Sequence, residues 1–464
     1  MMYFSKKGKG VRNVTDQEVE LRDEELLEDI MNGNIQEFRE TFIDMHPYDQ
    51  GQFFKEQTTD IRMHIYEYLS PDEMALIMEN ISIDEVLPFF IEMDVEYAAM
   101  VLSDMAIDDA VDILNLMSKD QVASYLTIME KDAATDIKEL LHYEEKTAGS
   151  IMTTEFVAFY KNETAKSAMQ QLKKVAPDAE TIYYLYVLDE DKRFIGVLSL
   201  RDLIVSDEET LIEDIMNENI VSVSVGKDQE EVAQMMRDYD FLALPVIDFQ
   251  YHLLGIITVD DILDVMEEEA TEDYSKFAAL SGPEQVIDSP VHAAKKRLPW
   301  LIILLFLGMF TASLIGQFEE TLEQVTLLAI FIPLIAGMAG NAGTQSLAVA
   351  VRGIATGQFG KRSKWQMLVQ EGLTGFMIGA VCGIVITLVI FIWKGELFLG
   401  MLVGISILAT LFVATLSGSI IPLLMTKLKI DPAVASGPFI TTINDIISIL
   451  IYFGIATAFM NLLI

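Results

Sequence analysis

One carboxylate, Asp445, lies inside a stretch that otherwise has the composition of a membrane helix, FITTINDIISILIYFGIATAF. A charge at bilayer depth costs several kcal/mol, so such residues usually face a bundle interior or a water-filled path. On a helix it shares a face with Pro438, Thr441, Thr442 and Ser448. The predicted spans contain no Lys or Arg to pair with it, and an unpaired buried charge is costly. We therefore expect its partner to be a mobile cation or a proton.

A second polar stretch, FIPLIAGMAGNAGTQSLAVAV, offers oxygen ligands for such a cation. One helical face carries Gly337, Asn341, Thr344 and Gln345, and the nearby glycines allow close helix approach. Interhelical hydrogen bonding alone also explains the Thr and Gln residues. Mg²⁺ is often held through few carboxylates and keeps several waters. Asn341 and Asp445 are therefore the predicted pore ligands, and two chains on a two-fold axis would bring two Asp445 side chains to one site.

The charge distribution divides the chain into two halves. From Val291 onward there are 10 Lys and Arg against 7 Asp and Glu, so the first 290 residues carry the other 22 basic and 64 acidic residues, a net charge of −42. Such an acidic surface repels nucleic acid and anionic lipid, and it attracts cations. We predict no nucleic-acid partner, whereas the apolar half should contact membrane lipid.

Five apolar spans follow, each longer than the ~20 residues that cross a bilayer. They cover roughly residues 298–318, 325–350, 366–393, 399–425 and 436–462. The 351–365 loop is basic, basic residues precede the first span, and the loop after it is acidic. The positive-inside rule then predicts a cytoplasmic N-terminus and an external C-terminus.

Residues 20–145 have a helical pattern with a 12-residue repeat. Met93, Met105, Met117 and Met129 recur at this period, each followed by an acidic helix start. Short helices in regular stacking form a superhelix. The methionines are predicted to fill its core, and the carboxylates, Asp108 among them, to lie near helix N-termini, where they suit the helix dipole.

A second repeat occupies residues 146–266. IMTTEFVAFYKNETAKSAMQQL resembles IMNENIVSVSVGKDQEEVAQMM, and each copy reads as strand, helix, strand, glycine turn, strand and helix. The opening Ile-Met pairs, the Gly196 and Gly255 turns and the closing SLRDL and TVDDI resemble a tandem pair of CBS domains. That resemblance implies an adenine nucleotide, such as ATP, as a candidate ligand, with Asp261 where a ribose-contacting Asp commonly lies.

An acidic helix is predicted to link this pair to the first span. Glu267, Glu268, Glu269, Glu272 and Asp273 crowd together at spacings where like charges destabilise a helix. An all-oxygen cluster favours Mg²⁺ or Ca²⁺ over zinc. A solvated linker is the alternative.

Taken together, these regions resemble the MgtE magnesium channels. The most specific segments are PLIAGMAGNAGTQS and DPAVASGPFITTINDI. The resemblance implies a homodimeric, Mg²⁺-selective channel in the plasma membrane whose cytosolic domains bind Mg²⁺ and close the pore when cytosolic Mg²⁺ is plentiful. It also implies Asp445 as the pore ion site.

The resemblance further implies sensor ligands in three regions. They are Asp108 and Asp112 in the N-domain, Asp228, Glu230, Asp240, Asp261 and Asp264 in the CBS pair, and Glu269, Glu272 and Asp273 on the linking helix. A register slip in the 12-residue repeat would put Asp104 or Asp109 in place of the N-domain pair.

The predicted fold class is a multi-domain membrane protein. Its parts are a disordered N-terminus (1–19), an α-helical superhelix N-domain (20–145), α/β CBS domains (146–207 and 208–266), an acidic linking or plug helix (267–295) and a five-helix transmembrane domain (296–464). A proton- or sodium-coupled transporter of Mg²⁺ or Co²⁺, regulated by nucleotide at the CBS pair, is the alternative function. The sequence contains no nucleophile–base pair and no phosphate-binding loop, so we predict no enzymatic activity.

Overall fold

The computed structural model describes residues 16–177, 179–282, 289–355 and 361–459. These divide into two compact units, with the boundary between Leu263 and Asp264. Most of the predicted disordered segment, residues 1–15, lies outside the described residues, and a helix already begins at Asp16.

The first unit opens with a run of short helices joined by tight turns. They are α1 Asp16–Asn32, α2 Ile35–Ile43, α3 Pro47–Glu56, α4 Thr59–Tyr68, α5 Pro71–Met78, α6 Ile83–Glu92, α7 Val95–Asp104, α8 Ile107–Asn115, α9 Lys119–Ile128 and α10 Lys131–Leu140. Local signals start several of them, since Pro71 occupies the first turn of α5 after a Ser70 capping box, and Asp94 caps α7.

The 12-residue repeat corresponds to one helix and its connection. Met93, Met105 and Met129 each follow the last residue of a helix and are buried. Asp108, Asp120 and Asp132 lie in the first turns of α8, α9 and α10, as predicted.

The second repeat forms two small three-stranded sheets with flanking helices. Its elements are β1 Ala158–Tyr160, α11 Ala165–Val175, β2 Tyr184–Leu188, β3 Phe194–Ser199, α12 Leu200–Val205, α13 Ile212–Ile215, β4 Val223–Ser224, α14 Gln229–Tyr239, β5 Ala243–Ile247, β6 Leu253–Thr258 and α15 Val259–Phe277. Each sheet joins a parallel pair, β1 with β2 or β4 with β5, to an antiparallel partner, β3 or β6.

Gly196 and Gly255 are not turn residues, so that prediction is wrong. Gly196 lies within β3 and Gly255 within β6. A Cβ on Gly196 would meet the Met216 sulfur at 2.6 Å, and one on Gly255 would meet the Met152 sulfur at 2.9 Å. The glycines are needed because the Ile-Met segment of each copy packs against the sheet of the other.

The second unit contains the remaining elements. They are the later part of α15, then α16 Pro290–Gly316, α17 Glu319–Gln324, α18 Leu328–Ala355, α19 Lys361–Lys394, α20 Leu397–Lys427, a 3₁₀ helix Pro432–Val434 and α21 Gly437–Ala458. Five helices of the described residues are long and apolar enough to cross a membrane: α16, α18, α19, α20 and α21.

The linking helix differs from its predicted bounds of 267–295. It begins at Val259, directly after β6, and ends at Phe277, where Ala279 takes a left-handed conformation. A new helix starts at Pro290, because Ser289 caps it and proline suits its first turn. The predicted membrane boundary at 296 therefore falls inside α16.

Helix α20 is the centre of the membrane bundle and packs against α18, α19 and α21. The core contains Phe331, Leu402, Ile407, Tyr452 and Phe453. A helical N-domain, an α/β pair and five apolar helices confirm the predicted fold class.

Candidate ion-binding sites

Asp445 lies on α21, half-buried in the described bundle. No side chain among the described residues donates a hydrogen bond to its carboxylate or forms an ion pair with it, and Ser448 bonds instead to its backbone oxygen, at 2.8 Å. Asn341 lies on the exposed face of α18 together with Gly337 and Gln345. The carboxylate is thus the unpartnered charge that the sequence predicts.

Helices α18 and α21 approach closely beside this carboxylate. A Cβ on Gly340 would meet the Thr441 methyl at 2.7 Å, and one on Gly343 would collide with the amide nitrogen of Asn444. The hydroxyls of Thr344 and Thr441 are 3.3 Å apart. The predicted glycine contacts therefore join the two helices that carry Asn341 and Asp445.

Sequence reasoning overlooked Asn444, the residue before Asp445. It is fully buried, its side-chain oxygen lies 2.5 Å from the Ser417 hydroxyl on α20, and its amide nitrogen has no partner among the described residues. Asn444 ties α21 to α20 and thereby orients the turn of helix that presents Asp445.

The first unit brings two predicted ligands together. Asp108 on α8 has a solvent-inaccessible Oδ1 without a hydrogen-bond partner in the described part of the chain. Burial raises the pKa of Asp108 well above its usual range, and the nearby Asp261 carboxylate raises it further. Asp261 is itself oriented by Thr258, whose backbone N–H (3.3 Å) and hydroxyl both donate to it.

Three further carboxylates complete this group, which we call the α8 carboxylate cluster: Glu79, Asp108, Asp109, Glu180 and Asp261. Burial and the adjacent Glu79 and Asp261 raise the pKa of Asp109 to about 8. Burial, Asp260 and Asp261 raise the pKa of Glu180, and burial raises that of Glu79 although Ala106 N–H donates to it at 2.8 Å. Sequence reasoning named Asp109 only as an alternative and missed both glutamates, which lie far apart along the chain.

The other predicted ligands of this unit are not members of the α8 carboxylate cluster. Asp112 is exposed on α8, although its charge contributes to the pKa of Asp109. Asp228 caps α14, and exposed Glu230 lies in its first turn, whereas Asp240 follows its last residue in a left-handed conformation. Twelve residues of helix span about 18 Å, so Asp240 and Asp228 cannot ligate one ion.

In the second unit, the linking helix meets the turn before α21. The Lys276 ammonium lies 2.6 Å from Glu272 and 2.5 Å from Asp431. Burial and Asp431 raise the pKa of Asp273 to about 6. Asp264 is exposed, and Glu269 adds its charge near Asp273. Asp431, which also caps the 3₁₀ helix at Ala433, is a further site residue that sequence reasoning missed.

The oxygen atoms of the α8 carboxylate cluster are suitable ligands for a hard divalent cation. No group of three or more His, Cys, Asp or Glu side chains is already arranged around a metal position in the ranges described above. However, the α8 carboxylate cluster combines an orphaned buried oxygen with several carboxylates of raised pKa, and such a group needs protons or a cation. Oxygen ligands without sulfur or imidazole favour Mg²⁺ or Ca²⁺.

Comparisons with known proteins match the helical N-domain, the CBS pair and most of the apolar region. A family model described as a divalent cation transporter, MgtE, matches residues 332–455, the MgtE intracellular N domain matches 45–146, and CBS domains match 148–208 and 212–268. The chain is 56% identical over 447 residues to the magnesium transporter MgtE of Enterococcus faecalis, covering 96% of this chain and 98% of that protein.

Two solved structures are similar to about half of the chain. One is the soluble part of a magnesium transporter, with 52% identity, a TM-score of 0.53 and coverage of 54% of this chain and 99% of that one. The other is the cytosolic domain of the Mg²⁺ channel MgtE in complex with ATP, with 36% identity, a TM-score of 0.50 and coverage of 52% and 99%. The similarity therefore extends to both the soluble and the apolar regions.

Proposed function

The chain belongs to the MgtE family of divalent cation transporters, and on this premise we propose that it carries Mg²⁺ across the plasma membrane along a path between α18 and α21. The observation that carries the proposal is the half-buried Asp445 carboxylate, which has no partner in the described part of the chain. A cation passing this position supplies the missing partner.

The polar groups near this path suit a partly hydrated Mg²⁺. Asp445 supplies one charge and Asn341 one amide oxygen, and Mg²⁺ commonly keeps several waters while binding few carboxylates. His and Cys are absent from the sequence of α18 and α21, which disfavours selection of softer ions. We propose no enzymatic role for these groups.

Mg²⁺ uptake into proteoliposomes tests the proposal. The purified full-length chain is expected to admit Mg²⁺ down its gradient, and uptake should persist when proton and sodium gradients are collapsed. Uptake that stops on collapse would favour the alternative, a proton- or sodium-coupled transporter of Mg²⁺ or Co²⁺. Liposomes without protein provide the baseline, and flux equal to that baseline would contradict transport altogether.

We further propose that the α8 carboxylate cluster and the linking-helix carboxylates sense cytosolic Mg²⁺ and close the pore. The first 290 residues carry a net charge of −42, which opposes compaction. Ions that bridge facing carboxylates favour a compact state by their differential affinity for it. The closing signal has a structural route, because Lys276 links the linking helix to Asp431, six residues before α21.

We propose that the channel is a homodimer with its N-terminus in the cytoplasm and its C-terminus outside. Ile204 on α12 and Leu263 on α15 hold matching places in the two CBS copies, and both are more than half exposed, at 62% and 61%. These apolar side chains suit a second copy of the chain. The basic loop ends, including Arg352 and Lys427, set the orientation.

Nucleotide binding at the CBS pair is a second candidate function, since a relative of known structure is described in complex with ATP. Asp202 and Asp261 occupy matching places, and each accepts a hydrogen bond from the hydroxyl just before its helix, that of Ser199 or Thr258. Asp261 lies in the α8 carboxylate cluster, which repels phosphates. We therefore expect ATP at the Asp202 side, and Asp202→Ala should weaken ATP binding in equilibrium dialysis, whereas unchanged binding would contradict this placement.

A further inference from the structure

A second carboxylate, Glu371, lies within the membrane helices, in the third predicted span. It is on α19, half-buried, and its Oε2 is 2.8 Å from the Ser346 hydroxyl on α18. The same hydroxyl lies 2.7 Å from the Thr415 carbonyl and 2.6 Å from the Ser419 hydroxyl, both on α20. Ser346, Thr415 and Ser419 are buried. One hydroxyl therefore joins three membrane helices, and we call it the Ser346 joint.

The three contacts need more protons than the two hydroxyls supply. Ser346 and Ser419 have one hydroxyl proton each. If Glu371 is ionised, Ser419 donates to Ser346, and Ser346 then donates either to Glu371 or to the Thr415 carbonyl. The remaining contact would place two acceptor oxygens within 2.8 Å of each other without a proton between them.

A proton on Glu371 satisfies every contact at once. Glu371 and Ser419 then donate to the two lone pairs of the Ser346 oxygen, and Ser346 donates to the Thr415 carbonyl. In a membrane interior, a fully satisfied polar network is far more favourable than one with an unmade bond.

The Ser346 joint adjoins the helices of the ion path. A Cβ on Gly418 would meet the Ser346 Cβ at 3.0 Å, so α18 and α20 are in backbone contact there. Ser346 lies five residues after Asn341, and Ser419 lies two residues after Ser417, the contact of Asn444. A change at the joint would therefore displace the helices that present the predicted pore ligands.

We propose that Glu371 is a positioning residue, a neutral carboxylic acid that donates to Ser346 and holds α18 and α20 in register for ion passage. Only the role of Glu371 in ion passage rests on the proposed transport function; its protonation does not. Apart from Glu371, the charged residues of the packed helices lie toward the helix ends in the sequence, namely Arg352 on α18, Lys361, Arg362, Lys364 and Lys394 on α19 and Lys427 on α20. In the described part of the chain, the Glu371 carboxylate is hydrogen-bonded to the Ser346 hydroxyl.

Infrared difference spectroscopy of the purified full-length protein tests the protonation. The wild-type spectrum minus that of Glu371→Gln is expected to contain the carbonyl band of one carboxylic acid, which moves in D₂O. The band should also move in Ser346→Ala, which removes its hydrogen-bond partner. Glu320→Gln, which alters an exposed carboxylate outside the spans, serves as the matched control and should show no such band. A difference spectrum of wild type minus Glu371→Gln without the band overturns the proposal.

Mg²⁺ uptake by the same variants tests the positioning role. Glu371→Gln, which can still donate to Ser346, should stay within about twofold of wild type, whereas Glu371→Ala should lose about tenfold, the factor that corresponds to one buried hydrogen bond. Glutamine as inactive as alanine, or alanine as active as wild type, overturns the proposal. The infrared band does not depend on flux, so a failure of the transport proposal is recognised separately.

Discussion

Replacement of Asp445 by alanine is expected to lower Mg²⁺ uptake by about 100-fold, because the path loses its one charged ligand and charged contacts contribute about 1.5–3 kcal/mol each. The carboxylate is half-buried and unpartnered in the described chain, so its removal should cost little stability. Asp445→Asn keeps an oxygen without the charge and should fall between wild type and alanine. Uptake is measured in proteoliposomes and by growth of a Mg²⁺-transport-deficient cell.

The control for this prediction is Glu320→Gln, an exposed carboxylate at the acidic loop. Its uptake should equal that of wild type, which separates a local ion site from a general effect of charge. If Asp445→Ala supported normal uptake, Asp445 would not be the pore ligand.

A mixed dimer, purified from cells that co-express two differently tagged chains, extends the same test to the proposed dimer. If two Asp445 side chains face one site, a dimer with a single Asp445→Ala copy should lose most of its flux. If each chain forms its own path, the mixed dimer should retain about half, which would contradict the shared site. The mixed dimer of two wild-type copies provides the reference.

Neutralising Asp108 and Asp109 together is expected to abolish the Mg²⁺ dependence of the fold of the first unit. Both residues are half-buried beside Asp261, and burial and neighbouring charge raise the pKa of each carboxyl group. In wild type, removing Mg²⁺ should increase cleavage by added protease about tenfold, at residues 130–150 or 266–290. This factor corresponds to a shift of ~1.4 kcal/mol in the equilibrium between the compact and the open state. Asp108→Asn with Asp109→Asn removes the mutual repulsion, so cleavage should be slow with or without Mg²⁺.

The 12-residue repeat offers a matched control for this double variant. Asp120 and Asp132 lie in the first turns of α9 and α10 as Asp108 does in α8, but both are exposed. Asp120→Asn with Asp132→Asn should keep the wild-type response. In this experiment Mg²⁺ is added on the side of the N-terminus. If the protease cleaves wild type at the same rate with and without Mg²⁺, the result would argue against a sensor.

Local patterns accounted for most of the fold. Apolar runs longer than a bilayer predicted the membrane helices, and the repeat in residues 146–266 predicted two copies of one α/β module. The helix starts near Asp108, Asp120 and Asp132 followed from spacing and dipole chemistry alone. Boundaries were less accurate where a cap decided them, as at Ser289 and Pro290, which start α16 before the apolar run.

The glycines show how a correct motif can lead to an incorrect role. Gly196 and Gly255 mark the CBS pair in the sequence, but their place within strands became evident only when Met216 and Met152 from the opposite copies were found against them. A glycine signals either a turn or a close approach, and only the approaching partner distinguishes the two.

The sequence by itself determined that an acidic half precedes an apolar half, and it predicted a mobile cation or a proton as the partner of Asp445, because a charge within an apolar span is costly. Only the tertiary structure decided which of the aspartates at equivalent positions of the 12-residue repeat lies close to other carboxylates. Asp108 lies beside Asp261 and Glu180, whereas Asp120 and Asp132 remain in solvent. It likewise decided that Asp431 meets Lys276 and that Glu371 meets Ser346. The reason is physical: periodicity reports which face of one helix is apolar, but burial and Coulomb energy depend on distances between segments far apart in the chain.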